Sequence, residues 1–203
     1  METDRKWIIV RIDGKIAAIS TDYRLLAEIT ARIASPTKPG KKTNQKNDLP
    51  YQKISAEAVG FEEIWKLRQE TSWDDLLLFG TDFQQKVWRK LYDLTHQNDS
   101  TARLISYTDF AELCQNRAGV RAVAHAIGLN PVSVVIPCHL VIPKESIDKM
   151  KEINKKAEAT IFKGVDLCLC SILKNETIDF GNYALGPVMK RKLIALELTG
   201  EKL

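Results

Sequence analysis

Residues 105–131 read ISYTDFAELCQNRAGVRAVAHAIGLNP, and the way this stretch breaks decides the fold. Ser106 with Asp109 three residues on resembles a capping box, so a short helix is expected to about Cys114. QNRAG then makes a break. A second helix is expected from about Ala118 to Ile127, ended by Gly128 and Pro131. Two short helices around a tight break fit a helix-turn-helix. The second helix is rich in small residues, with Ala118, Ala122, Ala124 and Ala126. Arg121 and His125 are four apart and share a face, with Arg117 just before them. Such a helix can approach a nucleic-acid groove closely, and its outward arginine can enter a base stack. A tightly packed internal helix with a solvated arginine has the same pattern, and this segment alone leaves both readings open.

Upstream, FQQKVWRKLYDL (83–94) puts Phe83, Val87, Leu91 and Leu94 on one helical stripe, the pattern of a core-facing helix. WIIVRIDGKIAAIS (7–20) is two β-prone runs around Asp13-Gly14, a hairpin signal. DYRLLAEITARIAS (22–35) carries Leu25, Leu26, Ile29 and Ile33 at helical spacing. Residues 35–50 are polar, lysine-rich and punctuated by three prolines, and read as a flexible loop. A helical pattern is expected from about Ile54 to Glu70, and a domain boundary near Leu78–Thr81. The domains are therefore set at 1–78 and 79–203.

The 203 residues carry a formal charge of +4, which permits a nucleic-acid partner without requiring one. Four cysteines, at 114, 138, 168 and 170, show no metal-finger spacing, so no metal is expected. Cys168 and Cys170 read as buried apolar residues, and Cys114 as core. No secretory signal opens the chain and no apolar run approaches the length of a membrane span. A reduced, cytoplasmic protein is expected, where free thiols persist.

The second informative stretch is VVIPCHLVIP (134–143), which sets Cys138 beside His139 between two prolines. A buried structural cysteine next to a satisfied histidine is one reading; a nucleophile with its base is the other. In an extended stretch adjacent side chains point to opposite faces, so direct contact of the two is awkward. A bridging water or a sharp turn is needed, and a third group to orient the histidine.

IPCH with Val141, the upstream ISY, RAVAHAI and NPV together resemble the O6-alkylguanine-DNA alkyltransferase family. The likeness continues in GTDFQQKVWRKL, in GNY (181–183) and in KRKLIALE (190–197). It implies an α/β N-terminal domain plus a mostly α C-terminal domain with a helix-turn-helix. It also implies repair of double-stranded DNA containing O6-alkylguanine, approached from the minor groove by a monomer with no cofactor and no membrane contact.

By this resemblance Cys138 accepts the alkyl group, His139 takes its proton through a water, and Glu197 orients the histidine. A thiol with a pKa near 8.5 is mostly protonated at neutral pH, so such a base is needed. Tyr107 would donate to ring N3 of the leaving guanine. The backbone carbonyls of Cys138 and Val141 would read its exocyclic amine, and the Ala184 amide, just after Tyr183, would sit near O6. Arg121 matches the arginine that fills the stack vacated by the flipped base. Asn130 matches an asparagine that ties the helix-turn-helix to the cysteine strand.

Three departures from the family pattern stand out. Leu140 replaces the arginine usual after PCH, losing a charge near the site. Residues 144–180 form a long insertion, in which Ile147, Met150, Ile153 and Ala157 suggest a helix and VDLCLCSIL an apolar strand-like piece. Its seven lysines balance seven acidic residues, so it reads as a packed structural excursion. Leu185, in GNYALG, could narrow the pocket and favour small alkyl groups. The principal alternative is a lesion-binding protein of the same fold that does not transfer the group; a cysteine hydrolase is a further one.

Overall fold

The computed structural model describes residues 6–21, 53–96, 104–159 and 177–199, with isolated positions between 23 and 31. The helix expected over 22–35, the loop over 35–50 and the VDLCLCSIL segment with Cys168 and Cys170 lie largely or wholly outside the described residues. The chain divides into two compact units: Met1–Arg89 with Leu129–Ile136, and Lys90–Gly128 with Pro137–Leu203.

The first unit is built on an antiparallel sheet of β1 (Trp7–Ile12), β2 (Lys15–Ser20) and β3 (Ile54–Val59), in the order β2-β1-β3. Asp13 (φ 47°) and Gly14 (φ 85°) both occupy the left-handed region, as a two-residue hairpin turn whose twist matches its strands requires. The Asp13 carboxylate also accepts from Lys53 N at 2.8 Å, which ties the turn to the start of β3. Trp7, Ile9, Ile12, Ile16 and Ile19 are almost completely buried. Beyond β2, Ile19 N donates to Pro131 O at 2.9 Å and Ser133 N to Ile19 O at 3.1 Å, so the 131–133 segment extends the pairing of that strand.

The first half of the helix expected over 54–70 is instead a strand. Ile54–Val59 pairs with β1 along its whole length, from Ile12↔Ile54 to Trp7↔Val59. Its side chains are mostly exposed, so the backbone ladder decides its conformation, not an apolar stripe. Gly60 then caps α1 (Phe61–Glu70), which buries Ile64 and Arg68.

The helix α2 (Asp82–His96) starts in the first unit and ends in the second. Thr81 and Gln84 cap it reciprocally, Gln84 N donating to Thr81 Oγ1 at 3.2 Å and Thr81 N to Gln84 Oε1 at 2.8 Å. Gly80 must lack a side chain, since a Cβ would lie 2.6 Å from the Trp88 ring. Val87, Trp88, Leu91 and Tyr92 are buried, while Phe83 and Leu94 are half-buried.

The second unit is helical. The two-residue strand β4 (Ile105–Ser106) leads into α3 (Tyr107–Leu113), and a 3-10 turn at Arg117–Gly119 leads into α4 (Val120–Gly128). Ser106 Oγ accepts from Asp109 N at 3.0 Å and donates to the Asp109 carboxylate at 2.7 Å, so the expected cap forms. Gln115 takes a positive φ of 56° at the break, and the two helices form the expected helix-turn-helix. β4 pairs in parallel with β5 (Val141–Ile142). The helix α5 (Lys144–Ala159) packs Ile147, Met150 and Ile153 against Ile142, Ile178, Phe180, Ile194 and Ala195, the last two on the C-terminal helix α6 (Pro187–Thr199). The described residues thus form an antiparallel-sheet domain and a helical domain with a helix-turn-helix. No helix among the described residues is long and apolar enough to cross a membrane.

Candidate active site

The chain leaves the first unit after Ile136, and Cys138–Leu140 make one 3-10 turn in the second. Leu140 N donates to Pro137 O at 3.1 Å and Val141 N to Cys138 O. The stretch is therefore a tight turn at the cysteine and not an extended strand. With about three residues per turn, adjacent side chains diverge by about 120° instead of 180°. Cys138 is 7% exposed, and His139 and Leu140 are wholly buried.

The histidine is held from the far end of the chain. His139 Nε2 lies 3.0 Å from Glu197 Oε1, with the two side chains 0% and 6% exposed. A carboxylate only accepts, so Nε2 carries the proton of the neutral ring and Nδ1 keeps the basic lone pair. Glu197 sits on α6 seven residues after Lys190, two turns along one face.

Lys190 was not foreseen as a site residue, because nothing in its local pattern sets it apart from an ordinary basic residue. It is 1% exposed and donates from Nζ to Val141 O at 2.8 Å. Its ammonium also lies 5.8 Å from the Tyr107 ring centroid. Burial lowers its pKa to about 8, and the charges of Cys138 and Asp179 offset part of that fall. The carbonyls of Cys138 and Val141 thus each accept an internal hydrogen bond.

Two tyrosines complete the cluster. Burial raises the Tyr107 pKa, with the Cys138 and Asp179 charges adding to the effect, so the hydroxyl stays a donor at neutral pH. The Tyr183 ring meets His139 edge-on at 6.4 Å. Burial, then the charge of Cys138 and a hydrogen bond to it, raise the Tyr183 pKa well above 10. The Tyr183 hydroxyl is buried with no partner at good hydrogen-bond geometry, so that interaction with the sulfur is a loose one. Ala184 is exposed in the turn that follows, closed by Gly186 N donating to Tyr183 O at 2.9 Å.

Cys138, His139, Glu197, Tyr107, Tyr183 and Val141 therefore cluster in the second unit with Lys190. Arg121, Ala122 and His125 are exposed on α4, whereas Ala126 is packed inside and cannot face a groove. Asn130 lies in the first unit. Its amide donates to Ile136 O at 2.8 Å and its oxygen accepts from Val132 N at 3.0 Å, spanning a turn in which Val134 takes a φ of 75°. Leu185 is buried. No group of three His, Cys, Asp or Glu among the described residues could hold a metal ion.

Residues 82–160 match the family model described as 6-O-methylguanine DNA methyltransferase, DNA binding domain. A probable methylated-DNA–protein-cysteine methyltransferase of Acanthamoeba polyphaga mimivirus is 40% identical over 72 residues, covering 36% of this chain and 45% of that protein. The methylated-DNA–protein-cysteine methyltransferase of Haemophilus influenzae is 34% identical over 109 residues, covering 53% of this chain and 56% of that one. A crystal structure of Mycobacterium tuberculosis OGT in complex with DNA is 25% identical, with a TM-score of 0.46 over 70% of this chain and 65% of that one. The helix-turn-helix and the buried Cys-His turn thus fall within a domain of the methyltransferase DNA-binding type. Residues 82–160 are thus similar to the DNA-binding domain of the 6-O-methylguanine DNA methyltransferase family. It spans about half the length of the two curated relatives named here.

Proposed function

We propose that the protein repairs DNA by moving an alkyl group, chiefly methyl, from O6 of guanine to its own Cys138, with residues 79–203 as the transfer domain. The observation that carries this reading is the buried His139–Glu197 pair at 3.0 Å, one residue from a buried thiol. Nδ1 of His139 takes the Cys138 proton through a water, and the Glu197 carboxylate balances the imidazolium that forms. The sulfur lone pair attacks the alkyl carbon; the S–C bond forms as the C–O6 bond breaks, and its electron pair stays on the purine. Tyr107 donates to N3 of that purine and lessens its charge. The product is a thioether, so each molecule acts once.

The partner is double-stranded DNA, with α4 as the reading helix in the minor groove and Arg121 filling the gap left by the extruded base. Asn130 holds the turn that leads into Pro137 and Cys138. The Cys138 and Val141 carbonyls take the exocyclic amine, and the Ala184 amide faces O6. A thiol used in this way has to stay reduced, which fits a monomer working in the cytoplasm with the nucleoid.

The test is intact mass after incubation with a duplex bearing O6-methylguanine. One added methyl group per chain, absent in Cys138→Ser, is expected. Tight binding with unchanged mass would favour a lesion-recognition protein without transfer, and multiple turnover would favour a hydrolase.

A further inference from the structure

The strand of chain that delivers Tyr183 to the cysteine is fastened from two helices. Ser146 Oγ, on α5, donates to Asp179 O, and Lys149 Nζ, one turn on, donates to Thr177 O at 3.2 Å. From α6, Arg191 Nη2 donates to Ile178 O at 3.0 Å while its guanidinium lies 4.6 Å from the Phe180 ring centroid. Asp179 then turns its own carboxylate onto Gly181 N at 2.8 Å. Gly181 has a φ of +78°, and a Cβ there would sit 3.2 Å from Pro143, the residue before α5. Two residues later comes the Tyr183 ring.

Ser146 stands out within this set. It is 3% exposed on a helix face otherwise filled by Ile147, Met150 and Ile153. Burying a hydroxyl among apolar side chains is unfavourable unless it makes a hydrogen bond, and this one reaches 33 residues along the chain to do so. A serine within a helix commonly bonds back to its own preceding turn. Here the donor is instead spent on the backbone of the segment that enters the site.

We propose that Ser146 is a positioning residue for alkyl transfer. Through the Asp179 carbonyl it fixes where the 179–186 segment begins, and so where the Tyr183 ring and Ala184 amide stand beside Cys138. This rests on the transfer reading above. In a site where about 1 Å of misplacement can cost about a hundredfold in rate, a fixed take-off point for this segment matters to the reaction as well as to the fold.

The experiment combines single-turnover kinetics with amide hydrogen exchange. Ser146→Ala should lower the transfer rate constant at saturating O6-methylguanine duplex by about tenfold with unchanged DNA affinity, and Ser146→Thr should restore most of it. In a Tyr183→Ala background the same change should cost less than twofold. Exchange at the Gly181 and Gly186 amides should quicken in Ser146→Ala while that of α4 stays as in the wild type. A tenfold loss that persists undiminished in the Tyr183→Ala background, or a rate within twofold of wild type, would overturn the proposal. Should Ser146→Ala not fold, Lys149→Met takes its place with a smaller effect in the same direction. A wild-type protein that gains no methyl mass refutes the transfer reading itself, whereas a methylated wild type with unchanged exchange at Gly181 and Gly186 in Ser146→Ala overturns the positioning role alone.

Discussion

His139 and Glu197, 58 residues apart in sequence, meet at 3.0 Å with both side chains almost free of solvent. Glu197→Gln keeps a hydrogen-bond acceptor for Nε2 but removes the charge. The expected result is a transfer rate lower by about 10- to 100-fold with DNA affinity unchanged, measured by rapid-quench single turnover. Glu197→Ala also leaves a buried ring nitrogen unpaired, and should lower unfolding free energy by about 1–3 kcal/mol in urea titrations.

Lys190 supplies a pH-dependent test. Its pKa falls from 10.5 in the unfolded chain to about 8 in the folded one. Between those values the unfolded state binds more protons, so this group makes stability rise with pH. The gain begins near pH 8 and is complete near pH 10.5. Relative to Lys190→Met, the wild type should gain up to about 1.4 kcal/mol per pH unit in that window. Denaturant titrations at several pH values read the difference directly, and parallel pH dependences would contradict it.

Arg121 projects from α4 into solvent. Arg121→Ala should weaken lesion capture in duplex DNA by about tenfold or more, because the unstacked position is left unfilled. Reaction with the free modified base should be spared. Equal loss on both substrates, by competition assay, would remove the role assigned to this arginine.

Asn130 braces the turn at Val134, whose φ of 75° is costly for a β-branched residue. Asn130→Ala removes two buried hydrogen bonds and should destabilise the first unit by about 2–4 kcal/mol. Asn130→Asp restores only the acceptor for Val132 N and should recover part of the loss. Thermal melts of both variants check this.

The local signals in the sequence read well where capping and turn chemistry govern. Ser106 and Asp109 cap α3, and Asp13-Gly14 turn the hairpin, because each outcome is set within four residues. Ile54–Val59 misled because its strand state comes from pairing with β1, more than forty positions away, and not from its own pattern. The 3-10 turn at Cys138 was hidden by the β-branched run before it. Cys138 and His139 announce themselves by adjacency, but Glu197 could be matched to them only through family resemblance. Lys190 and Ser146 look like an ordinary basic residue and an ordinary helical serine until tertiary contacts bury them.

Leu140 has a consequence for what the cysteine turn can tolerate. Its side chain is wholly enclosed at the end of that turn. A guanidinium in its place would bury a cation in a space closed around a hydrocarbon. Leu140→Arg by itself should therefore impair the protein, and an arginine could be accepted there only if the surrounding shell were reopened at the same time.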